Sequence, residues 1–218
     1  MSGKSCTIVL ALAGLAWTAG QVALPDMGMQ AGERYDRVAD HPALQSWSGG
    51  LFVVAGALLV LGAVAMRGRL AEHALVRGRR PVAVGIALVA LGGVWLAAGR
   101  GAFNLMFYRL VDTDGVARAD AVRLLDAGSG VGFVPLVLTL PCLLLGPVVL
   151  GIGLRRAGLA AWWPTVLWVV GIGLFVATEF SSKAAEGIGV AAASVALAWF
   201  GWALDRAGDP PAARGTLG

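Results

Sequence analysis

The chain has 218 residues, of which 58% are hydrophobic and only 14% are charged, and its formal net charge is +4. A soluble domain carries about 45–50% apolar and about 25% charged residues, so this composition excludes an ordinary soluble protein and predicts one solvated by lipid. The positive charge does not indicate nucleic acid as a partner, because the basic residues lie between apolar runs and form no patch interleaved with aromatics.

Six apolar runs follow one another along the chain, and each is long enough to cross a bilayer as a helix of about 20 residues. The first run follows Lys4 and looks like a secretory signal, but we interpret it as the first spanning helix. The sequence thus predicts an all-α integral membrane protein that forms a single bundle and ends in a flexible tail at 205–218. The predicted spans are about 7–24, 49–66, 81–98, 131–154, 159–178 and 187–204.

Lys and Arg in the short connecting segments predict the orientation of this bundle. The segment between the second and third runs carries five arginines against one acid, Glu72, and the segment after the fourth run is little more than Arg155-Arg156. Both segments are expected in the cytoplasm, and with six spans both termini lie there too. The predicted location is therefore the plasma membrane of a bacterial cell, with the lipid bilayer as a partner.

The two long segments on the opposite, outer side are predicted to differ from each other. Residues 25–48 contain several glycines and prolines and are expected to be partly irregular. Residues 117–127 place three apolar side chains among Arg and Asp, which predicts an amphipathic helix leading into the fourth span. Long ordered loops are often functional, so a site is expected on this side.

Ionisable residues at membrane depth are costly and are functional candidates, but no predicted span has one at its centre. Glu179 directly follows the fifth run, where the helix dipole disfavours an anion and an apolar setting would favour a protonated carboxyl that can donate its proton. Asp126 precedes the fourth run, and Glu186 begins the sixth, where it can pair with Lys183. Glu179 and Asp126 are the predicted catalytic acids, whereas an ordinary helix end is the alternative for Asp126 and Glu186.

Aromatic and amide side chains supply the predicted walls of a pocket. The three tryptophans chosen lie deep in their runs, where their ring faces can stabilise a cation, and packing alone is the alternative. The two amides, near the ends of the first and third runs, are expected to line the same space on the outer side. The predicted substrate-binding residues are Trp17, Trp95, Trp168, Asn104, Gln21 and Tyr35.

Neither a metal nor a cofactor is predicted. Cys6 and Cys142 lie in different runs and form no Cys-x-x-Cys pair, which argues against a metal site and against four-cysteine thiol chemistry. The close glycine pairs, such as Gly171 with Gly173 and Gly187 with Gly189, do not stand between a strand and a helix. They therefore predict tight helix packing and not a phosphate-binding loop.

Four short motifs spread over most of the chain carry a resemblance to known proteins. They are His41-Pro42 with Gly49-Gly50, the arginine-rich loop ending Gly78-Arg79-Arg80, Leu124-Leu125-Asp126, and the stretch 151–158. Through them the chain resembles small actinobacterial multi-spanning membrane proteins, and it is similar to bacterial membrane-bound terpene cyclases of pathways to prenylated indole alkaloids.

That resemblance implies terpenoid biosynthesis in secondary metabolism. The implied reaction is an isomerisation, in which a carboxylic acid protonates and cyclises a hydrophobic prenylated substrate, such as a farnesylated indole, with no metal and no loss of diphosphate. It also implies an aromatic-lined cavity and a base that ends the cascade. The sequence has no Asp-Asp-x-x-Asp motif, and the choice of Glu179 and Asp126 as acids rests on their placement.

Two other functions stay open. A small-solute transporter would need a polar path through the bilayer, and the predicted spans supply almost no polar side chains for one. A non-catalytic accessory subunit would need only lipid-facing Gly and Ala surfaces for a partner, which the glycine-rich runs permit.

Overall fold

The computed structural model describes residues 5–25, 30–72, 78–112, 116–128, 140–178 and 181–207. Within these ranges the ordered elements are all helices. They are α1 (Ser5–Ala23), α2 (Ala31–Asp40), α3 (Pro42–Glu72), α4 (Arg79–Val94), a π-helical segment (Trp95–Ala102), α5 (Phe103–Asp112), α6 (Arg118–Gly128), α7 (Leu140–Arg156), α8 (Trp163–Thr178) and α9 (Lys183–Ala207).

Four of the described helices are long and apolar enough to cross a membrane. They are α1, α3, the continuous helix that runs from α4 through the π segment to the end of α5, and α9. The 16-residue α8 is a shorter apolar helix. Helices suit a bilayer because hydrocarbon offers no partner for backbone N–H and C=O groups, which a helix satisfies internally. The chain thus has the architecture of an all-α membrane protein.

Two long helices extend well beyond the spans predicted for them. The third span was expected to end at residue 98, whereas the observed helix continues to Asp112 and carries Arg100 within it. The helix α3 already begins at Pro42, a residue suited to a first helical position because the missing N–H of proline would have no partner there.

The two long segments predicted to be irregular and amphipathic, 25–48 and 117–127, can be compared with the observed helices. The segment 25–48, expected to be partly irregular, contains α2 and the start of α3, with the non-helical His41 between them, and its residues 26–29 lie outside the described residues. The buried Val38 gives α2 an apolar contact on one face, and glycine and proline counts do not reveal such a contact. The helix expected at 117–127 is confirmed as α6. Residues 131–139 of the predicted fourth span, and the predicted tail from residue 208 onward, lie outside the described residues.

Six helices form a closed ring in the order α1, α3, α4, α7, α8, α9. In this ring α1 lies between α3 and α9, α4 lies between α3 and α7, and α8 lies between α9 and α7. The large side chains that point inward are fully buried, among them Trp17, Trp168, Phe52 and Phe200. The ring places the first and last long helices side by side, which neither helix alone predicts.

Small residues let neighbouring helices approach to backbone contact. A Cβ added at Gly92 of α4 would lie 2.6 Å from the Cα of Leu143 in α7. One added at Gly171 of α8 would lie 2.6 Å from the carbonyl oxygen of Gly189 in α9. The predicted packing role is thus confirmed at Gly171 and Gly189, whereas Gly173 faces open space.

Candidate functional site

Buried polar side chains gather at both ends of the antiparallel pair formed by α1 and α9. At one end Glu186, near the start of α9, meets the end of α1, and at the other end Asp205 meets the start of α1. We call the group of Gln21, Arg100, Lys183 and Glu186 the Glu186 cluster. The group at the opposite end, built around Asp205, contains the first residues of α1 and Arg69.

The Glu186 cluster joins three of the long apolar helices through charged hydrogen bonds. Glu186 lies in the first turn of α9 and is only 2% exposed. Its Oε2 accepts hydrogen bonds from Gln21 Nε2 at 2.6 Å and from Lys183 Nζ at 3.0 Å. The other end of the same amide, Gln21 Oε1, accepts from Arg100 Nη2 at 3.0 Å. Gln21 therefore bridges the arginine of the π segment to the carboxylate of α9.

Arg100 lies between two phenyl rings. Its Cζ is 5.2 Å from the centre of the Phe52 ring in α3 and 5.4 Å from that of the Phe175 ring in α8. Such a cation–π contact is worth about 2 kcal/mol or more when water is excluded. Three helices, α1, α3 and α8, thus supply side chains that contact Arg100.

The π segment itself sets the position of Arg100. A π turn holds an extra residue and is found frequently at functional sites, because it rotates the following side chains relative to a regular helix. Within this segment Gly101 lies directly against α3, where an added Cβ would lie 2.7 Å from the backbone nitrogen of Val53. Close packing on α3 therefore accompanies the widened turn that carries Arg100.

An aromatic pair lies one helical turn from the Glu186 cluster, towards the middle of the bundle. The rings of Trp17 and Trp168 have centroids 6.1 Å apart and an interplanar angle of 52°, and both residues are at most 2% exposed. Trp168 Nε1 donates a hydrogen bond to the carbonyl oxygen of Leu144 at 3.0 Å. Trp17 Nε1 is buried and has no hydrogen-bond partner among the described residues. Because a buried indole N–H normally has a partner, this group is a donor available to a bound molecule.

The structure thus brings together three of the six predicted substrate-binding residues. Gln21 and Trp17 are four residues apart on one face of α1, and Trp168 contacts Trp17 from α8. Trp95 begins the π segment and is half-buried against the hydrophobic core. Among the described residues, its ring makes no contact with the rings of Trp17 and Trp168.

Asn104 and Tyr35, the remaining two, have other neighbours. Asn104 lies one helical turn beyond Arg100 and is 4% exposed, and its backbone oxygen accepts a hydrogen bond from Gln45 Nε2 at 3.4 Å. The side-chain Nδ2 of Asn104 is buried without a partner in the described part of the chain. Tyr35 lies on α2, with the guanidinium carbon of Arg118 at 5.8 Å from its ring centre.

The predicted acids are placed only in part. Glu179 lies outside the described residues, and Asp126 belongs to α6, although its side chain is not among those described. The predicted pairing of Glu186 with Lys183 is confirmed at 3.0 Å. Oε2 of Glu186 thus accepts hydrogen bonds from two donors.

Arg100, Phe52 and Phe175 were missed as site residues. A signal for Arg100 was present, because the residues after it, from Ala102 to Phe107, are again mostly apolar. An arginine between two apolar stretches is a charge at membrane depth and therefore a functional candidate. The two phenylalanines carry no comparable signal, since a phenylalanine in an apolar run is the ordinary core residue.

Asp205 organises the opposite end of the bundle. It is 3% exposed, and its carboxylate accepts hydrogen bonds from the backbone N–H groups of Cys6 at 3.3 Å and Thr7 at 2.8 Å, and from Thr7 Oγ1 at 2.7 Å. Arg69 Nε of α3 lies 3.5 Å from the same carboxylate. The first N–H groups of a helix have no partner within it, so Asp205 acts as an N-terminal cap supplied by another helix. This group is structural.

Outside the bundle, an ion pair joins α2 to α6. Arg118 donates from Nε and Nη2 to the two carboxylate oxygens of Asp36, at 2.8 and 2.7 Å. Both side chains are more than half exposed. These hydrogen bonds from Arg118 hold the pKa of the Asp36 carboxyl below its usual value.

The contact between α2 and α6 is therefore expected to weaken in acid. A carboxyl whose pKa is lowered by folding stabilises the folded state fully above its unfolded value of about 3.9, and this contribution is lost as the pH falls through the lower folded pKa. Proteolysis at the ends of α6, followed from pH 6 to pH 2.5, should increase over the acidic part of this range, and Asp36→Asn should remove that step. Asp120→Asn, at an exposed position in α6, is the control. A step of the same size in Asp36→Asn would contradict the assignment.

The described residues contain no group of three or more His, Cys, Asp or Glu side chains placed to hold a metal ion. No protein-family model, no curated protein and no solved structure matches the chain.

Proposed function

We propose that the chain crosses the plasma membrane of a bacterial cell six times, with both termini in the cytoplasm. The support is the ring, in which α7 and α8 pack beside four helices that are long enough to span. Arg69, Arg79 and Arg155 lie near the ends of α3, α4 and α7 on the Asp205 side. Excess Arg and Lys mark the cytoplasmic side of membrane proteins, which puts the Glu186 cluster on the outer side.

We further propose that the protein is a membrane-bound terpene cyclase that acts on a hydrophobic prenylated molecule such as a farnesylated indole. The observation that carries the proposal is the position of the Trp17–Trp168 pair one turn below a cluster of buried polar groups. Ring faces stabilise a carbocation, and the buried N–H of Trp17 is available to orient a polar head group. The resemblance to membrane-bound cyclases points to the same reaction class.

In this proposal a carboxylic acid adds its proton to a terminal double bond of the prenyl chain. The resulting cation is attacked by a second double bond, which closes a ring, and loss of a proton to a base gives a product of unchanged mass. Glu179 is the first choice for the donor, because it directly follows α8 and stands four residues after Phe175, which contacts Arg100. Asp126 is the second choice. Glu186 does not serve as the donor, since it accepts hydrogen bonds from Lys183 and Gln21.

A non-catalytic accessory subunit is the second candidate. The observation in its favour is that Gln21, Lys183 and Glu186 satisfy one another, as in a purely structural contact between helices. Transport has less support, because the buried polar side chains of the described helices lie towards the two ends of the bundle. Between those ends, Ser194 of α9 meets α1 through its hydroxyl, which lies 3.2 Å from Thr18 Oγ1 and donates a hydrogen bond to the carbonyl oxygen of Gly14 at 3.0 Å.

The cyclase proposal predicts an isomerisation that depends on one carboxyl group. Protein in lipid nanodiscs, given a farnesylated indole, should yield isomers of unchanged mass with fewer double bonds, detected by mass spectrometry and NMR. Removing a general acid lowers a rate by about 10²–10⁴-fold, so Glu179→Gln should abolish product. Trp17→Leu should lower the rate about 30-fold, because a ring face from which water is excluded stabilises a cation by about 2 kcal/mol.

Glu33→Gln, at an exposed acid of α2, is the matched control and should leave the rate unchanged. Loss of product in Asp126→Asn but not in Glu179→Gln would transfer the donor role to Asp126. Unchanged substrate across a series of prenylated compounds would contradict the cyclase and favour the accessory subunit.

A further inference from the structure

A groove runs between residues 63–71 of α3 and residues 79–90 of α4. Its volume is about 460 Å³, and it is lined by small and apolar residues and by Arg67 and Arg79. Pockets that bind small molecules have about 300–1,000 Å³, so the groove is large enough for part of a lipid. Ala83 and Ala87 on α4 are exposed, and the groove is therefore open to the surroundings of the bundle.

The spacing of the lining residues explains why the groove exists. On α3 the lining residues include Ala63, Arg67 and Leu70, which are three or four residues apart. On α4 they include Arg79, Ala83 and Ala87, which are four residues apart. Each set therefore lies on one face of its helix. Alanine side chains on the α4 face are too small to fill the space between the helices. The result is a mostly apolar groove that runs along both helices.

The groove has the dimensions of one leaflet. From Arg79 to Ala90 the helix rises by about 16 Å, at 1.5 Å per residue. The hydrocarbon core of a bilayer is about 30 Å thick, so this length corresponds to the acyl region of a single leaflet. Arg79 lies at the end of the groove that carries the predicted cytoplasmic charge, and Arg67 lies about one helical turn before Ala71, the last lining residue of α3.

The two arginines that line the groove form no ion pair with an acid of the described residues. Arg67 and Arg79 are both exposed, and neither forms an ion pair with an acid of the described residues. Arg79 also begins α4, whose N-cap Gly78 supplies no side-chain hydrogen bond to the first N–H groups. A phosphate at this position would meet two guanidinium groups and the positive end of a helix dipole.

We propose that this groove binds an anionic phospholipid of the inner leaflet, with the phosphate between Arg67 and Arg79 and one acyl chain along Ala83 and Ala87. Basic pockets between spanning helices on the cytoplasmic side have the chemistry that acidic head groups require. The proposal depends on the spanning topology but not on the cyclase activity, so either can fail without the other.

Native mass spectrometry of the full chain released from detergent tests the proposal. With equal amounts of phosphatidylglycerol and phosphatidylcholine of matched chain length, the protein should retain phosphatidylglycerol preferentially. The double variant Arg67→Gln/Arg79→Gln should bind it about 30-fold more weakly, because each arginine near an anionic surface contributes about 1 kcal/mol and 1.4 kcal/mol is tenfold. Arg155→Gln/Arg156→Gln, which removes two arginines from the end of α7, is the matched control.

A variant that fills the groove distinguishes a lipid bound in the groove from a nonspecific electrostatic attraction of anions to the arginines. Ala87→Phe leaves both arginines in place and should still lower phosphatidylglycerol retention at least tenfold. Equal retention in Ala87→Phe and wild type, or equal losses in the two double-arginine variants, would overturn the proposal. So would full competition by inorganic phosphate, which would reduce the site to an anion site, or a dimer that disappears in Ala87→Phe, which would make a second copy the occupant.

Discussion

Replacing Glu186 by alanine is expected to lower the free energy of unfolding by about 3 kcal/mol. Breaking a buried charge pair costs about 3–5 kcal/mol, and the lower end applies because the Lys183 side chain is 32% exposed and partly solvated. The loss arises because Gln21 Nε2 and Lys183 Nζ lose their acceptor in a site from which water is largely excluded. Unfolding in mixed micelles, followed by the fluorescence of the eight tryptophans, of which Trp17 and Trp168 are buried, measures the change.

Asp120→Ala provides a matched control for this prediction. Asp120 is also an acid in the first turn of a helix, but it is exposed, so its removal tests the helix dipole alone. That effect is about 0.3–1 kcal/mol. Glu186→Gln, which keeps an acceptor oxygen and removes the charge, should fall between the two. If Glu186→Ala costs no more than Asp120→Ala, the cluster does not hold α1 to α9.

Replacing Asp205 by alanine is expected to lower the free energy of unfolding by about 2–4 kcal/mol. The range combines the loss of an N-terminal cap, about 0.5–2 kcal/mol, with about 1.5–2 kcal/mol for the contact with Arg69, which keeps its pairing with Glu72. Asp205→Asn should cost less, because one oxygen remains to accept a hydrogen bond. The same unfolding measurement applies, and the backbone amides of Cys6 and Thr7 should exchange their hydrogens faster in Asp205→Ala.

Thr7→Val separates the cap from the hydroxyl contact. It removes the 2.7 Å hydrogen bond from Thr7 Oγ1 to Asp205 and leaves both backbone hydrogen bonds in place, so about 1 kcal/mol should be lost. Amide exchange at Cys6 should then stay close to that of the wild type. Equal exchange in Asp205→Ala and the wild type would show that the start of α1 does not depend on α9.

The sequence by itself determined the class of this protein. Apolar runs of spanning length predict helices surrounded by lipid, because hydrocarbon excludes charges and requires a backbone that satisfies its own hydrogen bonds. Local patterns were sufficient for α1, predicted at 7–24 and observed at Ser5–Ala23, and for the amphipathic α6. The pairing of Lys183 with Glu186 was also predictable, because residues three apart on a helix are neighbours.

Only the tertiary structure decided which polar residues meet. Gln21 contacts Glu186 and Arg100 across sequence separations of 165 and 79 residues, and no local pattern encodes either contact. The position of Arg100 depends on a helix that continues past residue 98 through a π segment packed on α3, whereas in the sequence the apolar run ends at the first charge. The physical reason is that a partly buried charge becomes tolerable only when packing supplies its partners, here the amide of Gln21 from α1 and two phenyl rings from α3 and α8.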